Sequence, residues 1–245
     1  MPNKSSAPPQ SPSENFILAT LPEMDFTRLL PDLESIDMPL GWVISESGDH
    51  INYVYFPVSG IVSLIYDLED GSSSEVALIG NEGMVGISIF MGGDSMPGTM
   101  KVQSEGSAFR LNRKIMKREF ALNGKLQHLA LLYTQALICQ TSQTAICNQH
   151  HSLEQQLCRW ILMSIDRLHE KRMDITQELI ATLLGVWRES ISHATNKLES
   201  DGLIACARGS ITVLNRSKLE ARACECYRAV KDEYDRLLPQ PKHSK

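Results

Sequence analysis

The stretch from Ile175 to Val213 constrains the fold more than any other part of this 245-residue chain. Apolar residues recur at helical spacing up to Gly185, and a second helix follows over residues 188–200. The inner-face positions of the two helices are Leu179, Ile180, Leu183, Leu184, Ile191, Ala194, Thr195 and Leu198. Val186 and Trp187 are apolar and are expected to pack at the corner. Two helices crossed at a short glycine turn are typical of a helix-turn-helix.

A small hairpin is predicted directly after the second helix. Asp201-Gly202 and Arg208-Gly209 are turn pairs, and they bracket the short apolar runs Leu203-Ile204 and 211–213. A helix-turn-helix with such a wing predicts a winged-helix domain whose second helix enters the DNA major groove. An ordinary helical hairpin in a core is the alternative.

The residues of this stretch resemble the C-terminal domain of the Crp/Fnr family of bacterial transcription regulators. The matching motifs are Thr-Gln-Glu, Leu-Gly, Arg-Glu-Ser, Lys-Leu-Glu and Gly-Leu-Ile. The resemblance implies that Arg188, Glu189 and His193 contact bases; where cyclic-AMP receptor protein has arginine, this chain has His193. Arginine can donate to guanine and glutamate can accept from cytosine. The expected DNA-backbone contacts come from Ser190, Ser192, Asn196, Lys197 and Arg208.

Short β-rich runs separated by turns occupy residues 33–112 and predict a β-sandwich or barrel. The runs are Gly41–Ile44, Tyr53–Pro57, Ile61–Leu68, Ser74–Ile79, Thr99–Ser104 and Ala108–Leu111. The family resemblance implies a jelly-roll domain related to cyclic-nucleotide-binding domains here. Ile87 stands where binding members have a ribose-binding glutamate, and Gly98 stands where they have a phosphate-binding arginine. Because a cyclic phosphate needs a cation, this domain is predicted not to bind cyclic AMP.

Other activities of the β domain receive weaker support from the sequence. A ligand-gated sensor of haem, redox state or a small metabolite is the alternative function, with His50 or His128 as the axial haem ligand. The sequence shows no nucleophile, acid–base pair or cluster of metal ligands that a jelly-roll enzyme would need, so no enzymatic activity is predicted. Cys224-Glu-Cys226 is too sparse for a zinc site by itself, so the cysteines are expected to be structural or inert and no metal or cofactor is assigned.

A long helix is predicted from Lys125 to Cys147, with a hinge at His150-His151 and a capping box from Ser152 to Gln155 at the start of the next helix. One series of its residues repeats at alternating three- and four-residue steps, which is the pattern of a seam for a partner helix. The seam residues are Leu126, Leu129, Tyr133, Ala136, Gln140, Gln143 and Cys147. The family resemblance makes this helix the dimer interface. Leu131, Leu132 and Ile138 are expected to pack on the β domain instead.

The chain is therefore predicted to have an α+β fold: an N-terminal jelly-roll β domain, a long dimerisation helix and a C-terminal winged helix-turn-helix. The predicted boundaries are a disordered tail over 1–15, the β domain over 16–124, the helix over 125–150 and the DNA-binding domain over 151–245. A last helix is expected over 217–238, stopped by Pro239 and Pro241. Residues 170–245 carry 13 basic and 11 acidic side chains, against 11 and 18 in the rest. This local positive balance suits phosphate contacts.

The expected protein is a cytoplasmic homodimer that binds palindromic double-stranded DNA, with RNA polymerase as a candidate further partner. No apolar run approaches the length that spans a bilayer, so no membrane association is predicted.

Overall fold

The structure is a computed structural model that describes residues 11–238. The N-terminal half contains α1 Phe16–Ala19, α2 Glu23–Leu29, β1 Leu33–Met38, β2 Val43–Ser45, β3 Tyr53–Asp67, β4 Ser73–Ile79, α3 Ser88–Met91, β5 Thr99–Asn112 and α4 Arg113–Ala121. The C-terminal half contains α5 Lys125–His150, α6 Leu153–Leu168, β6 Arg172–Asp174, α7 Gln177–Leu184, α8 Arg188–Ser200, β7 Ile204–Ala207, β8 Ser210–Val213, α9 Arg216–Arg222 and α10 Glu225–Leu237. This order confirms the predicted α+β fold: an antiparallel β domain, a long helix and a winged helix-turn-helix.

The strands of the β domain form one antiparallel sheet in the order β1-β5-β3-β4, with β2 also paired to β5. Four of the predicted strands are in fact two long ones, β3 and β5, and the prediction omitted β1. The predicted turn at Gly60 is a bulge instead, where the register of β3 shifts against β5. Gly60 has φ +76°, and a Cβ on Gly106 would lie 2.3 Å from the Ser59 carbonyl oxygen. The two glycines therefore let the strands approach closely and bend without ending.

Residues 11–15, which the sequence assigned to the disordered tail, are folded in the structure; residues 1–10 lie outside the described part. Ser11 caps a 3-10 turn, Pro12–Glu14, and Asn15 is fully buried. The Asn15 side-chain amide donates to the carbonyl oxygens of Pro57 at 2.9 Å and Gly83 at 2.8 Å. These two bonds fix this segment on the β domain.

The long helix α5 presents a different face to solvent from the one that the sequence predicted. Six of the seven predicted seam residues are buried within their own chain, and Gln143 is half-buried. Gln140 shows why, because its amide donates to the Leu78 carbonyl oxygen at 3.1 Å and accepts from Arg167 at 2.8 Å. The predicted phase of the seam is therefore wrong. Leu131 and Ile138, which were expected to pack on the β domain, are 51% and 58% exposed.

The C-terminal part adds two elements that the sequence did not predict. β6 pairs with β8, so the wing is a three-stranded sheet in the order β6-β8-β7. The predicted last helix is broken into α9 and α10, since Ala223 and Cys224 are extended. Pro239 and Pro241 lie outside the described residues. The capping box at the start of α6 is confirmed, because Ser152 and Gln155 bond each other's backbone N–H groups.

The C-terminal half packs directly on the β domain. Both α6 and α7 contact β4. At this junction the Trp160 indole N–H donates to the buried Glu75 carboxylate at 2.8 Å, and the Arg167 guanidinium lies 2.8 Å from the Glu82 carboxylate. Burial raises the pKa of Glu75 to about 7, although the bonds from Ser63 and Trp160 oppose that shift. One carboxylate oxygen of Glu75 has no hydrogen-bond partner among residues 11–238.

Candidate nucleic-acid interface

The helix-turn-helix is held by bonds that are local in sequence. The Thr176 hydroxyl accepts the Leu179 backbone N–H at 3.1 Å, which caps α7. Gly185 ends α7 in the left-handed region at φ +65°, where glycine carries no Cβ penalty. The Gln177 amide then donates to the Thr195 hydroxyl at 3.0 Å and accepts from the Ser192 hydroxyl at 2.7 Å. Gln177 therefore fixes the rotation of α8 about its own axis.

The three predicted base-contacting residues share the outer face of α8. Arg188, Glu189 and His193 are exposed, and together with Ser192 and Asn196 they line one open concave surface. Arg188 has one weak partner, the Glu178 carboxylate at 3.5 Å. A helix face of exposed donors and acceptors above an apolar inner face is the form that reads base edges in a major groove.

The residues predicted to contact the DNA backbone differ in their exposure and in whether they are already bonded within the protein. Asn196 and Arg208 are exposed, whereas Ser190 and Ser192 are half-buried and the Ser192 hydroxyl is already bonded to Gln177. Arg208 lies in the wing turn and forms no ion pair with any residue between 11 and 238.

Lys197 belongs to an ion-pair cluster that links three helices. Its ammonium lies 2.6 Å from the Glu154 carboxylate of α6, which also binds Arg222 of α9. Arg222 in turn lies 2.9 Å from Asp201. The bond from Lys197 is the largest of the causes that lower the pKa of Glu154. Lys197 must therefore share its charge between this cluster and any phosphate.

The prediction that Trp187 packs at the corner of the motif is wrong. Val186 is half-buried, but the Trp187 side chain is 81% exposed at the N-cap of α8. The turn reverses the chain at Gly185 and directs the ring outward, beside Arg188. The exposed indole at the start of this helix extends the outer face of α8.

The segment that corresponds to a cyclic-nucleotide cassette is apolar. Ile87 is half-buried against the core, and a Cβ on Gly98 would lie 2.9 Å from the Tyr66 ring. The only charged residue between Met84 and Met100 is Asp94, whose carboxylate binds Lys117 at 2.7 Å and Arg113 at 3.5 Å. These two cations are thus neutralised within the protein. The bond from Lys117 is the largest cause that lowers the pKa of Asp94.

The two histidines considered as haem ligands are both on the surface. His50 is exposed and contacts the Arg113 guanidinium. His128 is exposed on α5. An axial ligand needs an enclosed, mostly apolar pocket beside it, whereas both of these side chains are exposed to solvent.

Fold and site together define a two-domain regulator in which a cyclic-nucleotide-binding-like β domain is joined by a long helix to a winged helix-turn-helix. A family model described as a Crp-like helix-turn-helix domain matches residues 155–222, and one described as a cyclic nucleotide-binding domain matches residues 37–123. The two matches cover well over half of the chain, which belongs to the Crp/Fnr family of DNA-binding transcription regulators.

Solved structures share this fold. FixK2 from Bradyrhizobium japonicum is 17% identical with a TM-score of 0.68, over 78% of this chain and 98% of that one. TTHB099, a CRP-family transcriptional regulator from Thermus thermophilus, is 20% identical with a TM-score of 0.64, over 77% and 96%. A Crp/Fnr-family regulator from Eubacterium rectale is 17% identical with a TM-score of 0.65, over 82% and 94%. A comparison with curated proteins found no match.

The family is one of transcription regulators, not of enzymes. Among residues 11–238, no helix is both long and apolar enough to cross a membrane.

Proposed function

We propose that the protein is a homodimeric regulator that recognises a two-fold-symmetric DNA site through α8 and does so without cyclic AMP. The exposed outer face of α8, locked in rotation by Gln177, is the observation that carries this proposal. In a symmetric dimer the two copies of α8 would enter major grooves about 34–36 Å apart. The site would then be a palindrome with half-sites one helical turn apart.

The side chains on this face have distinct proposed roles. Arg188 donates to a guanine and Glu189 accepts from a cytosine, while His193 sits one turn further along α8 and reads the next base pair. Arg208 of the wing and Asn196 of α8 hold the DNA backbone. Lys197 contributes less than a free lysine, because it is paired with Glu154.

Replacing Arg188 with alanine separates base reading from general attraction to DNA. We expect Arg188→Ala to weaken binding to the preferred site by about 1–3 kcal/mol and to relax the preference at one base pair of each half-site. The measurement is selection from a random duplex pool with sequencing of the bound fraction, followed by affinity measurements on the selected site and its single-base variants.

Arg208→Ala is the matched control, since it removes the same charge from the wing. It should weaken all sequences alike and reduce the slope of log affinity against log salt by about 1. An equal loss on every sequence in Arg188→Ala would refute the base-reading role. A wild-type pool without any two-fold-symmetric site would refute the proposal as a whole.

The dimer is proposed to form between copies of the exposed face of α5. That face repeats at alternating three- and four-residue steps, which is the spacing of a two-helix seam. Its members, all exposed, are His128, Leu131, Gln135, Ile138, Ser142, Ala145 and Gln149. The partner is a second copy of this chain, because a seam of this kind is complementary to itself around a two-fold axis.

Independence from cyclic AMP rests on the positions that would hold the ligand. An arginine at position 98 would need the Tyr66 ring to move, and Ile87 offers no acceptor to a ribose. We expect calorimetric titration with cyclic AMP to show no saturable binding at millimolar ligand, and DNA affinity to be unchanged by it. A cyclic-AMP-binding regulator of this fold serves as the positive control. Saturable binding with a rise in DNA affinity would contradict this part of the proposal.

The alternative, a sensor that binds DNA only when another ligand occupies the β domain, makes the opposite prediction for the selection experiment. Ligand-free protein would then show only salt-sensitive binding without sequence preference. No contact among the described residues favours this alternative. RNA polymerase as a partner and a cytoplasmic location stay predictions.

A further inference from the structure

Three of the six cysteines come together with a histidine where α5 meets the C-terminal helices. Cys147 lies in the last turn of α5 and His151 follows its end, while Cys224 caps α10 and Cys226 lies in its first turn. The three sulfurs and one imidazole nitrogen all lie within 4.8 Å of one another. The cysteines are at most 5% exposed, and the His151 side chain is 14% exposed. These four residues are called the Cys3His cluster below.

The spacing within the Cys3His cluster matches a tetrahedral metal site. With metal–sulfur bonds of about 2.3 Å and metal–nitrogen bonds of about 2.0–2.1 Å, neighbouring ligand atoms are about 3.6–3.8 Å apart. The sulfurs of Cys147 and Cys224 are 3.5 Å apart, and the Cys226 sulfur lies 3.6 Å from the His151 Nδ1. Three thiols and one imidazole in this geometry are a donor set that zinc prefers.

The backbone departs from its local preference to bring the sulfurs together. Residues 216–237 contain neither glycine nor proline, yet the helix breaks at Ala223 and Cys224, which have ψ +157° and +167°. Without the break, α9 would continue and the two cysteines would lie two positions apart on different sides of one helix. The break turns both sulfurs towards Cys147.

A second layer orients the histidine. The Glu225 carboxylate lies 3.3 Å from the His151 Nε2, so the other nitrogen, Nδ1, is the one that faces the sulfurs. A carboxylate on the distal nitrogen is the usual support of a metal-binding histidine, because it fixes the tautomer and the ring orientation. The buried Arg159 guanidinium lies nearby and lends positive charge to the thiols of Cys147 and Cys226.

We propose that Cys147, His151, Cys224 and Cys226 bind one Zn²⁺ and that this ion fastens α10 to the hinge between α5 and α6. Binding releases the protons of the three thiols, since the metal takes thiolates. The site joins the end of the proposed dimer helix to the start of the DNA-binding half, so it holds these two parts in one arrangement. It is independent of the proposed base contacts on α8.

The test uses the full-length protein, purified under reducing conditions and then passed through a desalting column. We expect one zinc per chain by elemental analysis. We also expect Co²⁺ to replace it with the visible absorption bands and thiolate charge-transfer band of a tetrahedral site. Removal of zinc with a strong chelator should lower the melting temperature, and adding zinc back should restore it.

Variants assign the ligands. Cys224→Ser and His151→Ala should each weaken zinc binding by at least tenfold, and Glu225→Gln should weaken it by about tenfold. Cys139→Ser and Cys206→Ser, which replace half-buried cysteines outside the cluster, should keep one zinc per chain. Circular dichroism and binding to nonspecific DNA report whether each variant is folded. The Co²⁺ spectrum of the wild type does not depend on any variant folding.

Three results would overturn the proposal. The first is reduced wild-type protein that neither contains zinc nor takes up Co²⁺ with a tetrahedral spectrum. The second is folded Cys224→Ser protein that binds zinc as tightly as the wild type. The third is a Cys147–Cys224 disulfide, found by alkylation and mass spectrometry after purification without reductant, in protein that binds no metal when reduced. Failure of DNA recognition would not affect any of these measurements.

Discussion

Ile138→Arg is expected to convert the proposed dimer to a monomer of about 27.4 kDa. Ile138 lies in the middle of the exposed face of α5, and a two-fold axis would bring both copies into one contact. Burial of an isoleucine side chain stabilises by about 1.5–3 kcal/mol, so loss of both copies costs about 3–6 kcal/mol. The dissociation constant should rise by about a hundredfold to ten-thousandfold. Sedimentation equilibrium over a concentration series measures it.

Leu68→Arg is the matched control, because Leu68 is as exposed as Ile138 but lies in the β3–β4 turn. It should leave the dissociation constant unchanged. Monomeric Ile138→Arg should also lose affinity for the palindromic site while keeping its affinity for one half-site. A dimer of unchanged strength in Ile138→Arg would show that another surface joins the two chains.

Wild-type protein is expected to lose about 3 kcal/mol of unfolding free energy as the pH rises from 4.5 to 7, through Glu75 alone. The folded pKa of this carboxyl is about 7, against an ordinary value of 4.5, chiefly because burial disfavours the charged form. Between pH 4.5 and about pH 7 the folded chain binds more protons than the unfolded chain, so the free energy of unfolding falls as the pH rises. Above the folded pKa this contribution no longer changes with pH. Urea unfolding at pH 5 and pH 8 measures the difference.

Glu75→Gln removes this titrating group, so the unfolding free energy of the variant should lose about 3 kcal/mol less than that of the wild type as the pH rises. Glu69→Gln, at an exposed carboxylate, should leave the pH dependence unchanged. Carboxylates whose pKa is lowered, such as Glu154 and Asp94, contribute stability that is lost at lower pH, so they do not obscure the comparison. If both variants keep the wild-type slope, Glu75 is charged in the folded protein at neutral pH.

The helix-turn-helix could be predicted from the sequence because local residues determine it. The Thr176 cap, the left-handed Gly185 and the inner faces of both helices are set within a few residues of each other. Sequence spacing also placed Arg188, Glu189 and His193 on one surface. It did not show that Ser192 and Lys197 are bonded within the protein, because their partners lie on other helices.

The face of α5 could not be predicted, since the helix carries two series of residues at the same spacing. The series from Leu126 to Cys147 is the more apolar one, and it packs in the core of its own chain. The series that contains Leu131 and Ile138 is left for solvent. The sequence pattern reveals a seam but does not show whether the β domain or a second chain covers it.

The Cys3His cluster was missed for a related reason. Cys224 and Cys226 have the wrong spacing for a metal pair on their own, and their partners lie more than 70 residues earlier in the chain. The available signal was that a histidine pair and a cysteine flank the end of a long helix. Only the packing of α10 against α5 brings the two groups together.

The docking of α7 on β4 has a consequence for the choice of DNA site. A Cβ on Gly185 would lie 3.4 Å from the Ser73 carbonyl oxygen, so the turn before α8 rests directly on the first residue of β4. The position of α8 relative to α5 is thus set by contacts within one chain. The dimer would therefore hold its two copies of α8 at a fixed distance from each other. A substitution that displaces β4 would change the preferred distance between half-sites and leave the preferred bases the same.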